Sequence, residues 1–308
     1  MLKNKIMALA FGLLALVGAV DAQEKYSKVI IYPASHEQRL NLIGLLEIDH
    51  FMELEGGLVT EISESDVAQL KLSGVKHKVL IDDVAKNLRE ENARFLAARK
   101  KGIKLSTGKV ALEQKGSTVD KIIKKPTDFE VKSTFGGYYS FAEMESAMDV
   151  LVAKYPSIAQ KISIGKTFEN RDIWVIKISD NVITDEANEP EVLYMGLQHA
   201  REAITGSSMI FLMQYLCENY AMDQKIRGLI DNREFFIIPC FNPDGWEYNR
   251  LGGVGSMWRK NRSPNGAPGV DLNRNWGVDW ANCSAPIKGL SSSCGSGSQT
   301  SDTYYGPG

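Results

Sequence analysis

Apolar positions along this chain fall into three patterns, and the changes between them mark out its parts. At the start, Lys3 and Lys5 precede an unbroken apolar run from Met7 to Val20, which gives way to Asp21, Ala22 and Gln23. A charged start, a short apolar core and small residues at the exit form a secretory signal peptide over 1–22. The run is shorter than the ~20 apolar residues a spanning helix needs. The pattern therefore predicts a secreted or extracytoplasmic protein (bacterial periplasm or outside the cell) with no stable membrane anchor.

The second pattern is a series of short elements over 23–101. Val29–Tyr32 reads as a strand and Glu37–Leu46 as an amphipathic helix. Phe51–Leu54 and Leu58–Ile62 bracket Gly56-Gly57, as the arms of a hairpin do. Ser65–Leu72 is helical up to Gly74, Lys76–Ile81 is a strand, and a helix follows from Asp83 to Lys100. The order βαββαβ is that of the ferredoxin-like split βαβ motif, a small α+β unit. Residues 102–135 lose this periodicity and fill with Lys, Ser, Thr and Gly, so they read as a linker. The basic sites at 99–101 and 124–125 are equally consistent with processing by a protease and with a plain solvated charge run.

The third pattern spans 136–308 and predicts an α/β domain. Ser140-Phe-Ala-Glu143 is a capping box, and Phe141, Met144, Met148 and Leu151 then share one helical face. Strands are expected at 161–164, 173–178, 192–197 and 234–240, and helices at 207–220 and 223–230. Nearly all-apolar strands alternating with helices predict a mixed sheet covered by helices on both faces. Asn242-Pro-Asp-Gly245 reads as a turn. No internal repeat is evident.

Composition changes little in this picture. With 308 residues, 44% hydrophobic, 24% charged and a net charge of −2, the chain is an ordinary globular one of about two domains. No basic stripe or basic-aromatic interleaving points to nucleic acid. Export permits disulfides, and Cys283 and Cys294 flank a Ser/Gly-rich loop as a pair would. Cys217 and Cys240 sit in apolar surroundings and read as buried free thiols.

The candidate chemistry lies in four short stretches. In Gly196-Leu-Gln-His-Ala-Arg-Glu202, the histidine and the carboxylate three positions on fall between an apolar strand and an apolar helix, where α/β sheets place their ligands. An imidazole and a carboxylate in such a turn can converge on one ion. Taken alone the pair is a weak signal, since a lone histidine is more often structural. Downstream, Trp258-Arg-Lys-Asn261 and Asp271-Leu-Asn-Arg-Asn-Trp276 read either as charged surface loops or as a cluster of guanidinium and amide donors suited to a carboxylate.

Taken in order, GLQHARE, FNPDGWEY, WRKNR and GVDLNRNW resemble the M14 zinc metallocarboxypeptidases (carboxypeptidase A/B), and the loop ending in TYYGPG looks more like the bacterial carboxypeptidase T branch. The resemblance covers about 137–308 and implies zinc as cofactor. By it, His199 and Glu202 match two metal ligands and Arg201 a substrate-binding arginine. Arg259 matches the residue that stabilises the oxyanion developing on the scissile carbonyl as zinc-activated water attacks. Asn273 and Arg274 match the pair that grips the substrate's terminal carboxylate. The implied substrates are peptides or proteins with a free C-terminus, and the implied protein is a monomer. The preceding domain then matches the family's inhibitory propeptide, which covers the cleft.

The pattern is incomplete in one respect. The family needs a third ligand, a histidine, and a glutamate general base downstream, and no histidine follows His199. Glu247 and Asp302 are available carboxylates, with no motif reason to make either the base. The expectation is therefore a C-terminally truncated precursor, inactive as it stands, with the rest of the site beyond residue 308. A non-catalytic peptide-binding relative that keeps Asn273 and Arg274 is one alternative. A cell-wall peptide hydrolase of the same superfamily is another.

Overall fold

The computed structural model describes residues 25–48, 50–101, 124–132, 135–253, 255–264, 269–277, 280 and 295–307. The signal segment 1–22 and both Cys283 and Cys294 lie outside these residues.

The N-terminal unit runs β1 (Tyr26–Ile31), α1 (His36–Leu45), β2 (Met52–Leu54), β3 (Gly57–Ser63), α2 (Glu64–Leu72), β4 (His77–Ile81) and α3 (Val84–Lys100). Its sheet has the order β2-β3-β1-β4, and every pair is antiparallel. Ser35 and Ser63 start α1 and α2 by accepting hydrogen bonds from the amides of Gln38 and Asp66, which satisfies donors the helix cannot. Val29 and Ile31 of β1 point to one face and meet Leu42, Ile62, Val67 and Leu70 in a small core. Burial of each such side chain contributes on the order of 1.5–3 kcal/mol.

The C-terminal unit runs α4 (Phe141–Lys154), β5 (Ala159–Lys166), β6 (Asp172–Ile178), β7 (Glu191–Met195), α5 (Ala203–Asn219), α6 (Gln224–Ile230), β8 (Glu234–Ile238) and α7 (Pro243–Gly252). Its sheet has the order β5-β6-β8-β7, with β7 parallel to β8 and the other pairs antiparallel. The core joins Met144, Met148 and Leu151 of α4, Ile176 and Ile178 of β6, Ile210 and Met213 of α5, Ile237 of β8 and Trp246 of α7. The expected capping box is formed. The Ser140 amide donates to Glu143 Oε2 at 2.8 Å, and the Glu143 amide donates to Ser140 Oγ at 3.3 Å.

Three details differ from the sequence expectations. Asn242-Pro-Asp-Gly245 is the first turn of a helix rather than an isolated turn. Asn242 Oδ1 accepts from the Gly245 amide, and Pro243 sits where a helix has no amide to satisfy. The sheet is not covered throughout, since Leu193 and Tyr194 on the outer strand β7 and Ile164 on β5 are exposed. Part of the stretch read as linker is packed: Phe129 stacks edge-on against Phe211, and Thr127 donates to Glu218. Cys217 and Cys240 are buried free thiols. Among the described residues no helix is long and apolar enough to cross a membrane.

Candidate active site

Parallel strands β7 and β8 end side by side, and the loops that leave their carboxyl ends carry the candidate residues. The exit from β7 is stitched to the exit from β8. The Gly196 amide donates to Ile238 O at 2.8 Å, the Phe241 amide to Gly196 O at 2.9 Å, and the Asn242 amide to Leu197 O at 3.0 Å. Approach is so close that a Cβ on Gly196 would stand 2.8 Å from the carbonyls of Pro239 and Thr205. Leu197 then adopts a φ of 49°, a conformation rare for residues with a branched side chain. Thr205 Oγ1 braces this bend, accepting from the Leu197 amide and donating to Glu202 O.

Asn242 ties a third loop to these two. Its Nδ2 donates to Lys260 O at 2.9 Å and to Gln198 O at 3.3 Å. The Ala200 amide donates to Arg259 O at 3.0 Å. A fourth segment closes on the third, because Asn261 exchanges backbone and side-chain bonds with Val270, and the Asp271 amide donates to Tyr304 O. The four motifs of the sequence therefore meet at one end of the sheet.

There, His199 is buried, with Nδ1 2.8 Å from Glu202 Oε1. Its Nε2 lies 3.2 Å from Asp271 Oδ1, off the straight approach of a strong hydrogen bond. Asp271 is fully buried and holds Arg259 through Nε at 3.0 Å and Nη2 at 2.9 Å. Arg259 is itself 1% exposed and brings Nη1 to 4.0 Å from Glu202 Oε1. Arg201 pairs with Asp302 at 2.8 Å. Asn273 and Arg274 lie on a turn of 3-10 helix, Leu272–Arg274, capped by Asp271 through the Asn273 amide at 2.8 Å.

All six candidates, His199, Arg201, Glu202, Arg259, Asn273 and Arg274, line one cavity of about 1090 Å³. Its other wall comes from the N-terminal unit, including His36, Arg39 and Phe51. Glu247 does not line it, being bonded to Arg250 and to the Phe141 amide.

The electrostatics follow from burial among paired charges. Burial disfavours protonated His199, but the Asp271 and Glu202 carboxylates outweigh this and raise its pKa. Burial likewise opposes ionisation of Glu202, yet the His199 ring and the Arg259 and Arg201 guanidiniums outweigh it and lower the pKa. Asp271 is also lowered, burial again being overcome by His199 and Arg259. Two carboxylates thus flank one imidazole, one at each ring nitrogen.

The donor set fits zinc as far as it goes. An imidazole nitrogen and a carboxylate oxygen face each other, and a buried carboxylate behind the ring fixes its orientation, as metal-bound histidines require. Among the described residues no third His, Cys, Asp or Glu completes this pair. Sequence reasoning gave no role to Asp271, whose signal was its place just before Asn273-Arg274. It also gave none to Asn242 as the knot of the loops.

Comparison with known proteins bears on the same region. The Peptidase_M14 zinc carboxypeptidase model matches residues 144–308. A zinc carboxypeptidase of Saccharothrix mutabilis subsp. capreolus is 42% identical over 152 residues, 49% of this chain and 35% of that protein. Carboxypeptidase A2 of Rattus norvegicus is 26% identical over 319 residues, 98% of this chain and 66% of that protein. In structure, carboxypeptidase A from Helicoverpa armigera matches with a TM-score of 0.64 and 24% identity, over 93% of this chain and 63% of that one, a likeness of fold. The chain spans about a third of the length of the first relative and about two thirds of the second. With a family model matched over more than half of its residues, the chain belongs to the M14 zinc carboxypeptidases.

Proposed function

We propose that the protein carrying this chain is a secreted zinc carboxypeptidase, made as a precursor, that removes residues from the free C-termini of peptides. The observation that carries the reading is the convergence of six side chains from three separate loops on one cavity, with His199 oriented from behind by Asp271.

In this reading His199 and Glu202 hold zinc. When bound, the metal supplies an activated water and polarises the substrate carbonyl. The chain's own residues do the rest. Arg259, buried and clamped on Asp271, is a fixed cation beside Glu202. Such a cation needs no reorganisation to stabilise negative charge growing on a carbonyl oxygen. Asn273 and Arg274 offer amide and guanidinium donors to the terminal carboxylate, which sets the register of the scissile bond. Arg201 binds the substrate farther along. The family's third ligand and general base are not among the described residues, so the activity is proposed for the protein that carries them.

Residues 23–101 are the prodomain in this reading, with the ferredoxin-like strand order 2-3-1-4 and a face lining the same cavity in support. Residues 1–22 direct export, and Cys283 pairs with Cys294. Zinc content decides the central claim. In the full-length protein, His199→Ala or Glu202→Ala should reduce bound zinc from one equivalent to background. Retention of a full equivalent in both variants would refute the assignment.

A further inference from the structure

Arg259 and Lys260 are neighbours in the chain, both buried, and they reach different partners. Arg259 turns to Asp271 and the cavity. Lys260 is 2% exposed, and its Nζ donates to Gln299 O and to Ser301 O, each at 2.9 Å. A lysine is rarely buried to this degree, because its ammonium is strongly hydrated in water. Here two carbonyls of one turn take the place of that water, and an ammonium with three donors on a flexible stem suits them.

The turn so held, 298–303, is closed on itself. The Ser301 amide donates to Ser298 O at 3.1 Å, and the Ser296 amide to Thr303 O at 3.0 Å. It carries Asp302, whose Oδ2 accepts from Arg201 Nη1 at 2.8 Å. The same Nη1 reaches Met257 O at 3.5 Å. The Arg201 side chain is 9% exposed, so its guanidinium is confined in the cavity wall. Lys260 is itself fixed from behind, since its carbonyl accepts from Asn242 Nδ2 at 2.9 Å. A series of contacts, all within the C-terminal unit, thus runs from Asn242 through Lys260 and the turn to Asp302 and Arg201.

We infer that Lys260 is a positioning residue for Arg201. It holds the turn whose Asp302 fixes the plane of that guanidinium. Because Arg259 is the adjacent residue, the backbone at 259–260 places one cation directly and the other through the turn. The inference rests on the carboxypeptidase reading, in which Arg259 acts at the scissile carbonyl and Arg201 binds the peptide farther along. It adds the element that keeps the two in register. A peptide long enough to reach both benefits from that fixed spacing, since a donor already held in place loses little freedom on binding. A substrate ending short of Arg201 does not. Lys260 therefore governs the preference for longer peptides.

The test compares an N-acylated tetrapeptide with an N-acyl amino acid, both bearing a free carboxylate, on the full-length enzyme after maturation. Lys260→Met keeps the stem and deletes the ammonium. Asp302→Asn keeps the shape and deletes the charge that holds Arg201. In each, the ratio of kcat/KM for the long substrate to that for the short one should fall about tenfold, the worth of a hydrogen bond to a charged group. The change should lie chiefly in KM of the tetrapeptide. The double variant should fall no further than the singles, because both act through one path. A purely structural lysine would lower both substrates alike, and an unmoved ratio in Lys260→Met would overturn the inference. Should that variant fail to fold, an unmoved ratio in Asp302→Asn would overturn it equally. A wild-type enzyme that cleaves neither substrate would instead defeat the carboxypeptidase reading. Amide exchange at residues 299–304 would then decide: unaltered rates in Lys260→Met sink the inference, and faster exchange upholds the grip of Lys260 on the turn.

Discussion

Arg259 and Asp271 form a buried pair in which Nε and Nη2 both approach the same carboxylate oxygen, Oδ2, at 3.0 and 2.9 Å. The other oxygen, Oδ1, faces His199 Nε2 and accepts from the Asn273 amide. One side chain thus orients the candidate ligand, the candidate oxyanion cation and the turn bearing the candidate carboxylate grip. Asp271→Asn should therefore raise the zinc dissociation constant about 10–100-fold, the range typical of partners that orient a ligand. It should also destabilise the fold by about 3–5 kcal/mol by stranding the Arg259 charge. Chelator competition and urea denaturation measure the two effects separately. An unchanged zinc affinity would reduce Asp271 to a structural counter-ion.

Arg274 lies on the 3-10 turn capped by Asp271, with Nη1 donating to Asn273 O at 3.0 Å. Arg274→Ala in the full-length enzyme should lower kcat/KM for peptides with a free terminal carboxylate about 10–100-fold, the worth of a charge-assisted bond. Peptides ending in an amide should change little. Equal losses on both would remove the residue from carboxylate recognition.

Away from the site, Lys177 on β6 and Glu234 on β8 form an ion pair at 2.5 Å, with side chains 7% and 1% exposed. Lys177 Nζ also donates to Thr184 O, tying down the loop that leads to β7. Glu234→Ala leaves a buried ammonium without its anion, so it should cost about 3–5 kcal/mol. Chemical denaturation should show this as a lower midpoint at constant slope.

Burial pushes the Cys217 thiol up to about 12, and Cys240 is likewise raised well above the ordinary thiol value by burial. Since the thiolate is the reacting form, neither should be alkylated by iodoacetamide at pH 8 in the native protein. Both should be modified once the chain is unfolded, as peptide mapping would reveal. Rapid labelling of either in the folded state would mean that the core opens readily.

Features that depend on neighbours in sequence were legible in it. The capping box at Ser140 and Glu143, the βαββαβ order and the buried thiols all follow from local pattern and periodicity. The carboxyl end of β7 was expected to carry a site because strand and helix signals flank His199, and His199 and Glu202 do face each other there. What stayed hidden is long-range. Tyr26 and Asp302 meet although 276 positions separate them, and no periodicity encodes that. Asn242 looked like a turn residue because Asn-Pro-Asp-Gly suits turns and helix starts equally. Only the carbonyls of Gln198 and Lys260, brought near by folding, reveal its use.

That use of Asn242 has a consequence for how the protein tolerates change. Its amide, 2% exposed, touches nothing that reacts, yet three loops are registered against one another through it. Loss of the amide would displace all of them at once. A mutational survey that ranks positions by distance from the metal would therefore place this asparagine far too low, and a designer grafting the site onto another sheet would have to transplant it first.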